Sequence, residues 1–468
     1  MQEFDITVIG SGPGGYTTAI RAIQLGFKTC IIERDRLGGV CLNWGCIPTK
    51  ALLKNAQIMN ELKHVGNYGI TVGDINFDFG KIIDRSRGVA DTSEKGVKYL
   101  MKKNKVTVFE GTGSFTKDKT INVTNKEGKI IETIRSKHTI IATGARARQL
   151  GDLKFDEKKI LSSTGAMINK DIPKKMTIVG SGAIGCEFAY FYNAFGTEVT
   201  IIEMMPQILP VEDKDISDVV AREFKKSGMK ILTDAKTESI TVKGDKVITK
   251  VSGKKSEELE SDVVLVAIGV RGNIENMGLE NIGVEVFKDS INTDINYKTN
   301  VEGVYAIGDV SVINKERKPW LAHVASTEGI NCVEKIKGLH APDVNYETVP
   351  GCTYCQPQVG SVGMTEAKAK EAGYEVKVGK FPFSANGKAR AAGETVGMVK
   401  LVFDAKYNEL LGAHIVGAEA TELISELVMV KSLEGTAESI LKTFHAHPTL
   451  TESILEAAGV AYGEAINI

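Results

Sequence analysis

Ile6-Thr7-Val8-Ile9-Gly10-Ser11-Gly12-Pro13-Gly14-Gly15 is an apolar run of strand length that stops on a glycine turn and opens a helix. The spacing G-x-G-x-x-G describes a phosphate cradle. Its first glycine makes the turn, the second lets backbone N–H groups reach a pyrophosphate, and the third packs helix on strand, while the helix N-terminus adds positive dipole. A strand from Asp5 to Ile9, a helix from Gly14 to Leu25 and a strand from Thr29 to Ile32 follow from the pattern. Glu33, at the end of that second strand, is placed to accept hydrogen bonds from an adenosine ribose. A single loop of this kind is weak, because a glycine turn can be only a turn.

The chain writes the same sentence twice. Thr177-Ile178-Val179-Gly180-Ser181-Gly182-Ala183-Ile184-Gly185 runs through a strand from Glu198 to Ile202 to Glu203, and the steps from 10 to 33 and from 180 to 203 are both 23 residues. Chance glycines seldom reproduce an offset, so two dinucleotide sites and two cofactors are expected. Between them, Lys105 to Thr116, Thr120 to Asn125 and Ile130 to Arg135 alternate as strands, and Thr139 to Ala145 returns as a buried strand carrying Ala142-Thr143-Gly144. This predicts an inserted β layer, and Ser239 to Thr249 before Asp262 to Gly269 predicts a similar one in the second half. After Val344 to Pro350, strands at Glu375–Lys380, Gly397–Phe403 and Leu410–Val416 mix with helices at Glu419–Lys431 and Thr451–Ala458. The fold class is therefore α/β, two Rossmann-like dinucleotide-binding domains followed by a C-terminal α+β domain.

Chemistry enters at Gly38-Gly39-Val40-Cys41-Leu42-Asn43-Trp44-Gly45-Cys46-Ile47-Pro48-Thr49-Lys50. The step from Cys41 to Cys46 sets both sulfurs near one face of a slightly irregular helical turn, within reach of a disulfide that can open and close. A cysteine pair taken alone is more often structural. Here Gly38, Gly39 and Gly45 allow close approach to a flat ligand, and Lys50 brings a charge that favours a thiolate.

At 468 residues the chain is too long for one core, and two to four domains are expected. The net charge of -1, from 58 basic and 59 acidic residues, leaves no field for nucleic acid or an anionic membrane. Seven cysteines, an odd number, do not make a secreted disulfide framework, so a reducing compartment, the cytoplasm, is expected. No apolar run approaches a membrane span, and the start, Met1-Gln2-Glu3-Phe4, reads as neither signal nor transit peptide.

Toward the end, Gly308-Asp309 closes a short strand, and Asp309 either accepts from a sugar alcohol or caps the next segment. Leu321-Ala322-His323 opens a helix through Ile336. Cys352 and Cys355 have CxxC spacing without a second pair, so they read as structural, and no metal site is expected. In Phe444-His445-Ala446-His447-Pro448-Thr449-Leu450-Thr451-Glu452, Thr449 and Glu452 fit a capping box. Glu452 can equally hold the imidazole of His447 so that the ring accepts a thiol proton.

With these stretches in this order the chain resembles, end to end, the flavin-dependent pyridine nucleotide–disulfide oxidoreductases, and among them the branch that oxidises dihydrolipoyl groups. The resemblance implies a homodimer using FAD and NAD, with the FAD-binding part at residues 1–150, the NAD-binding domain at 151–271, a central FAD-binding segment at 272–347 and an interface domain at 348–468. It implies Cys41, Cys46, His447 and Glu452 as catalytic residues, His447 serving the other subunit's cysteines. It implies Gly10, Gly12, Gly14, Gly15, Glu33, Lys50, Gly113, Ala142, Thr143, Gly144, Gly180, Gly182, Gly185, Glu187, Glu203, Gly269, Asp309, Leu321, Ala322 and His323 as cofactor-binding residues, Glu187 as partner of Lys50. Its implied protein partner is the lipoyl-bearing component of a 2-oxo acid dehydrogenase or glycine cleavage complex.

Other branches fit less well. Mercuric reductases carry a C-terminal cysteine pair, whereas this chain ends Gly463-Glu464-Ala465-Ile466-Asn467-Ile468. Glutathione-type reductases place arginines after the second strand, whereas Glu203 is followed by Met204-Met205-Pro206, which disfavours NADP. A nucleotide-binding scaffold subunit has no need of both cysteines and the His447–Glu452 pair. Two departures, Gln358 where an acid is common and Gly272 where proline is common, predict local loop differences only.

Overall fold

The computed structural model describes residues 1–254 and 256–468, and the chain divides into two compact units. The first comprises residues 1–51, 80–148 and 269–346. Its centre is the strand Gln2–Ile9, in parallel register with Thr29–Glu33 on one side (Val8 opposite Ile31) and with Ile130–Ile141 on the other (Val8 opposite Ile140). Thr107–Glu110 extends one edge, and Val304–Ala306 adds on Ile130–Ile141. Successive side chains of a strand point to opposite faces, and both faces here are covered. Ile6, Val8, Ile31 and Ile140 pack under Ala19 and Ala22 of the helix Pro13–Gln24, while Ile9, Ile32 and Ile141 pack against Phe115 and Ile121.

In this unit the inserted strands are not a separate layer. Ile130–Ile141 is one strand of 12 residues whose first part pairs antiparallel with Ile121–Thr124 and whose second part pairs parallel with Gln2–Ile9, so the insertion continues the main sheet of seven strands.

The second unit comprises residues 52–79, 149–268 and 347–468. Its parallel sheet has five strands, ordered Lys230–Leu232, Glu198–Ile202, Lys175–Val179, Val263–Val266, Ile160–Leu161. Here the insertion does form its own antiparallel sheet, Ala235–Lys243, Lys246–Gly253 and Glu257–Ser261. The two halves differ because Asp262 interrupts the chain between insertion and core: its carboxylate accepts the Lys175 N–H at 2.9 Å and Lys246 Nζ at 2.5 Å. The C-terminal residues form an antiparallel sheet of five strands, Gly351–Thr353, Gln358–Gly363, Leu410–Gly417, Gly397–Asp404 and Val376–Pro382, with the helices Ala420–Ser432 and Glu452–Tyr462 packed on it.

Both departures from the family pattern have local reasons. A Cβ at Gly272 would collide with the Asp289 carbonyl, and Gln358 Oε1 accepts the Thr421 hydroxyl at 2.9 Å. Two long helices, Cys46–His64 and Phe79–Lys103, were not expected from the sequence.

Candidate functional site

In the first unit Gly10 has φ +99°, and a Cβ on it would strike the Ala142 carbonyl; one on Gly15 would strike the Gly10 carbonyl. A Cβ on Gly12 would meet nothing within 4 Å, so the outer side of the loop is open before the N-terminus of the helix Pro13–Gln24. That is room and dipole for a pyrophosphate. Glu33 Oε2 accepts the Ser11 N–H at 2.9 Å and the Ser11 hydroxyl at 2.6 Å, while Oε1 accepts the Asp35 N–H at 2.8 Å.

The second unit repeats this bond for bond. Gly180 has φ +98°, Gly185 backs onto the Gly180 carbonyl, and Gly182 faces open space. Glu203 Oε2 accepts the Ser181 N–H at 2.9 Å and hydroxyl at 2.7 Å, and Oε1 accepts the Met205 N–H at 2.9 Å. Ser11 and Ser181 escaped the sequence reading, although a Gly-Ser-Gly at the same place in both motifs was the signal.

Cys41 and Cys46 lie on two short-separated helices rather than on one irregular turn. Gly39–Asn43 ends at Trp44, and Cys46 starts Cys46–His64. Cys46 is exposed and Cys41 half-buried, and the two share a hydrogen bond. That bond, then burial, then the charges of Cys46 and Asp309 push the Cys41 thiol far above its ordinary value, with Lys50 pulling the other way. Cys41, Cys46, Lys50 and Asp309 thus form one electrostatic group. A Cβ on Gly39 would come within 2.6 Å of Gly12 Cα, so the thiol segment packs directly on the phosphate loop. Its frame is Trp44, whose Nε1–H donates to Asp35 Oδ2 at 3.0 Å and whose ring lies 4.3 Å under the Arg87 guanidinium. Arg87 also donates to the Asn43 carbonyl at 2.6 Å.

Other expected residues lie in the same unit. Thr143 and Asn273 exchange two hydrogen bonds, 2.8 and 2.9 Å, which anchor Ala142-Thr143-Gly144. Gly113 lies within a strand, where a Cβ would press on Ile32 at 3.2 Å, and Gly269 turns at φ +110°. Asp309 sits in a 3₁₀ turn, Gly308–Val310, and caps no helix. Burial is the main cause that raises its carboxyl to about 6, Lys318 and Arg317 opposing. Leu321 opens the helix Ala322–Lys337 in extended backbone without a side-chain cap, His323 being its second residue. Just before it, Trp320 donates to the Ser311 carbonyl at 3.1 Å and carries Arg317 over its ring at 4.0 Å.

In the second unit Glu187 is buried and accepts the Tyr354 N–H at 3.0 Å. Glu452 makes contacts that belong to each reading. It bonds His447 Nδ1 and takes the Thr449 N–H, but the Thr449 hydroxyl turns to the Ala446 carbonyl instead of completing the box. The helix starts at Glu452 with Thr451 as its N-cap. His445, buried, pairs with Glu426 at 2.9 Å.

Residues 4–329 match the family profile described as pyridine nucleotide-disulphide oxidoreductase, and residues 349–458 match that of its dimerisation domain. This chain belongs to the pyridine nucleotide-disulphide oxidoreductase family. It is similar to a dihydrolipoyl dehydrogenase of Rhizobium etli, 46% identical over 100% of this chain and 99% of that one, and to a dihydrolipoyl dehydrogenase of Zymomonas mobilis, 48% identical over 99% of each. The fold matches the crystal structure of LpdA from Mycobacterium tuberculosis with a TM-score of 0.89 at 24% identity, over 98% of this chain and 99% of the other. Both glycine loops fall within the first matched range, and the range matched by the dimerisation-domain profile follows it. Among the described residues no helix is long and apolar enough to cross a membrane, and no cluster of three or more His, Cys, Asp or Glu side chains is placed to hold a metal.

Proposed function

We propose that this protein is a dihydrolipoyl dehydrogenase: it oxidises protein-bound dihydrolipoyl groups and passes the electrons through Cys41 and Cys46 and FAD to NAD⁺, forming NADH. The observation that carries the reading is the thiol pair beside Lys50, packed on an open phosphate loop in a chain that holds a second loop of the same build. Full-length identity of 46–48% to dihydrolipoyl dehydrogenases supports the substrate.

A substrate thiolate attacks Cys41 Sγ of the oxidised pair, the Cys41–Cys46 bond breaks, and Cys46 leaves as a thiolate that Lys50 favours. The second substrate thiolate attacks the mixed disulfide, releasing Cys41 and the cyclic product. His447 takes the proton of one substrate thiol at a time and gives it to solvent before taking the other, with its ring held by Glu452. Bound FAD supplies the two-electron carriage from thiolate to nicotinamide. Gly10, Gly12, Gly14, Gly15, Glu33, Ala142–Gly144 and Asp309 hold it, and the parallel set Gly180, Gly182, Gly185 and Glu203 holds NAD. We keep residues 1–150 and 272–347 as the FAD-binding parts, 151–271 as the NAD-binding domain and 348–468 as the interface of a homodimer. A cytoplasmic subunit serving a 2-oxo acid dehydrogenase or glycine cleavage complex completes the reading.

Mixing the holoprotein with dihydrolipoamide and NAD⁺ tests it: one NADH forms per dithiol oxidised, and Cys41→Ser abolishes this while retaining flavin. Normal turnover in Cys41→Ser sinks the assignment.

A further inference from the structure

A buried ion pair stands behind Asp309. Lys318 Nζ and Glu328 Oε2 are 2.6 Å apart, with 3% and 0% of their side chains exposed. Both grip one residue, Gly308. Its N–H donates to Glu328 Oε2 at 2.7 Å, and its carbonyl accepts from Lys318 Nζ at 3.1 Å. The Ser311 hydroxyl donates to that carbonyl at 3.1 Å, and the Tyr346 hydroxyl donates to Glu328 Oε1 at 2.7 Å. Gly308 has φ +68°, and a Cβ on it would stand 3.0 Å from that of Ala325, so the turn admits no other residue without strain. Both polar backbone groups of the residue before Asp309 are therefore fixed by one charge pair.

Stability alone is a weak reason for such a pair, since desolvation offsets most of the attraction and an apolar pair of similar volume would serve. We propose that Lys318 and Glu328 are positioning residues for the flavin, holding Asp309 at a fixed aim and setting the charge around it. The inference deepens the function proposed above and rests on Asp309 accepting a hydrogen bond from a sugar-alcohol hydroxyl of FAD.

The groups facing Asp309 are Lys318 and Arg317, which favour its ionised form, Glu328, which opposes it, and Cys41 from the thiol segment. An ionised Asp309 is the better acceptor, so FAD release speeds up as pH falls through its titration. Removing Lys318 leaves Glu328 and Asp309 as neighbouring like charges and moves that step to higher pH. Removing the charge of Glu328 leaves Lys318 to Asp309 and moves it to lower pH. A merely structural pair would loosen FAD in both variants without opposite displacements.

The test follows flavin fluorescence as full-length holoprotein is diluted, between about pH 5 and pH 8, an interval that brackets a carboxyl raised to about 6. Lys318→Met is expected to move the midpoint of the release step upward and Glu328→Gln downward, and the release rate within the step changes about tenfold for each pH step of one by which the midpoint moves. Lys318→Arg keeps the charge and should restore the wild-type midpoint. Displacements of the same sign, or none, overturn the inference; if Lys318→Met does not retain flavin on purification, the isosteric Glu328→Gln decides by itself. Asp309→Asn separates the two levels. If it abolishes the pH step while the pair variants leave the midpoint unmoved, Asp309 keeps its role and the pair loses its own. If Asp309→Asn keeps the wild-type step, the flavin role of Asp309 fails and takes the inference with it.

Discussion

His447 Nδ1 and Glu452 Oε1 lie 2.9 Å apart, and the other oxygen of the same carboxylate takes the Thr449 N–H at 2.9 Å. Burial works against the ionised Glu452, but these two bonds outweigh it and hold the carboxyl below its ordinary value. An ionised Glu452 can only accept, so the tautomer that fits this bond carries its proton on Nδ1 and leaves Nε2 as the nitrogen that receives one.

Replacing His447 by glutamine should lower dihydrolipoamide turnover by about 10²–10⁴ with flavin retained, the range for a lost general base. Glu452→Gln should cost less, because it orients the ring. Mixing inactive Cys41→Ser chains with inactive His447→Gln chains under exchange tests where the base acts. Recovered activity means that it is lent between subunits; none despite proven exchange means that it acts within its own chain.

Glu203 should enforce NAD over NADP. Its carboxylate is set by Ser181 and Met205, and the residues after it, Met204 and Met205, offer no cation to a 2′-phosphate. Lost ribose bonds plus like-charge repulsion correspond to about 2–4 kcal/mol, or roughly 30–1000-fold in kcat/KM between NADH and NADPH. Equal values for the two would contradict the assignment.

Because each loop backs onto its own strand, single added methyls should silence one site at a time. Gly185→Ala drives a Cβ into the Gly180 carbonyl and should weaken NADH binding while flavin stays bound; Gly15→Ala should release flavin. Flavin content and NADH titration of each purified variant read the outcome, and a Gly185→Ala protein that lost its flavin would break the two-site scheme.

Lys400 predicts a distinct acid sensitivity. It is 3% exposed and meets Asp213 at 2.8 Å, Asp215 at 2.6 Å and Glu366 at 2.8 Å. Bonds from Lys370 and Lys400 hold Glu366 down to about 2, below its ordinary 4.5, despite burial. Its contribution is therefore complete above the ordinary value and lost as pH falls from there toward about 2. Lys400→Met should destabilise by about 3–5 kcal/mol at neutral pH, because buried Asp213 loses this cation, while Asp215 keeps Lys380 and Glu366 keeps Lys370. Thermal unfolding at neutral pH and at about pH 3 should show the difference between wild type and variant narrowing in acid; an unchanged difference would refute this.

What the sequence disclosed were the features with local signatures. Ile6, Val8 and Ile9 put apolar side chains on both faces of one short strand, and Gly10 and Gly180 sit where only glycine fits, so both strand–glycine-loop–helix units were readable. The helix Phe79–Lys103 buries Phe79, Ile83, Ser86, Ala90, Val97 and Met101 on one stripe, but Gly88 and Gly96 within it obscure the helical signal. The Lys400 cluster joins residues up to 187 apart in the chain, and Lys318 and Glu328, only ten apart, lie on a loop and a helix that meet only in the fold; lysines in polar stretches read as solvated until carboxylates are brought to them. Glu328 gave one hint, a carboxylate between Val324, Ala325 and Cys332 on the buried face of its helix.

The chain has two tryptophans, Trp44 and Trp320, each stacked under an arginine and both in the first unit. Indole emission is thus a reporter of that unit alone. Chemical denaturation followed at once by indole emission and by far-ultraviolet circular dichroism should resolve two transitions whenever the units differ in stability. The emission trace follows only the part that carries the thiols and the first phosphate loop, while melting of the second loop and the C-terminal sheet passes without an optical signal at that wavelength.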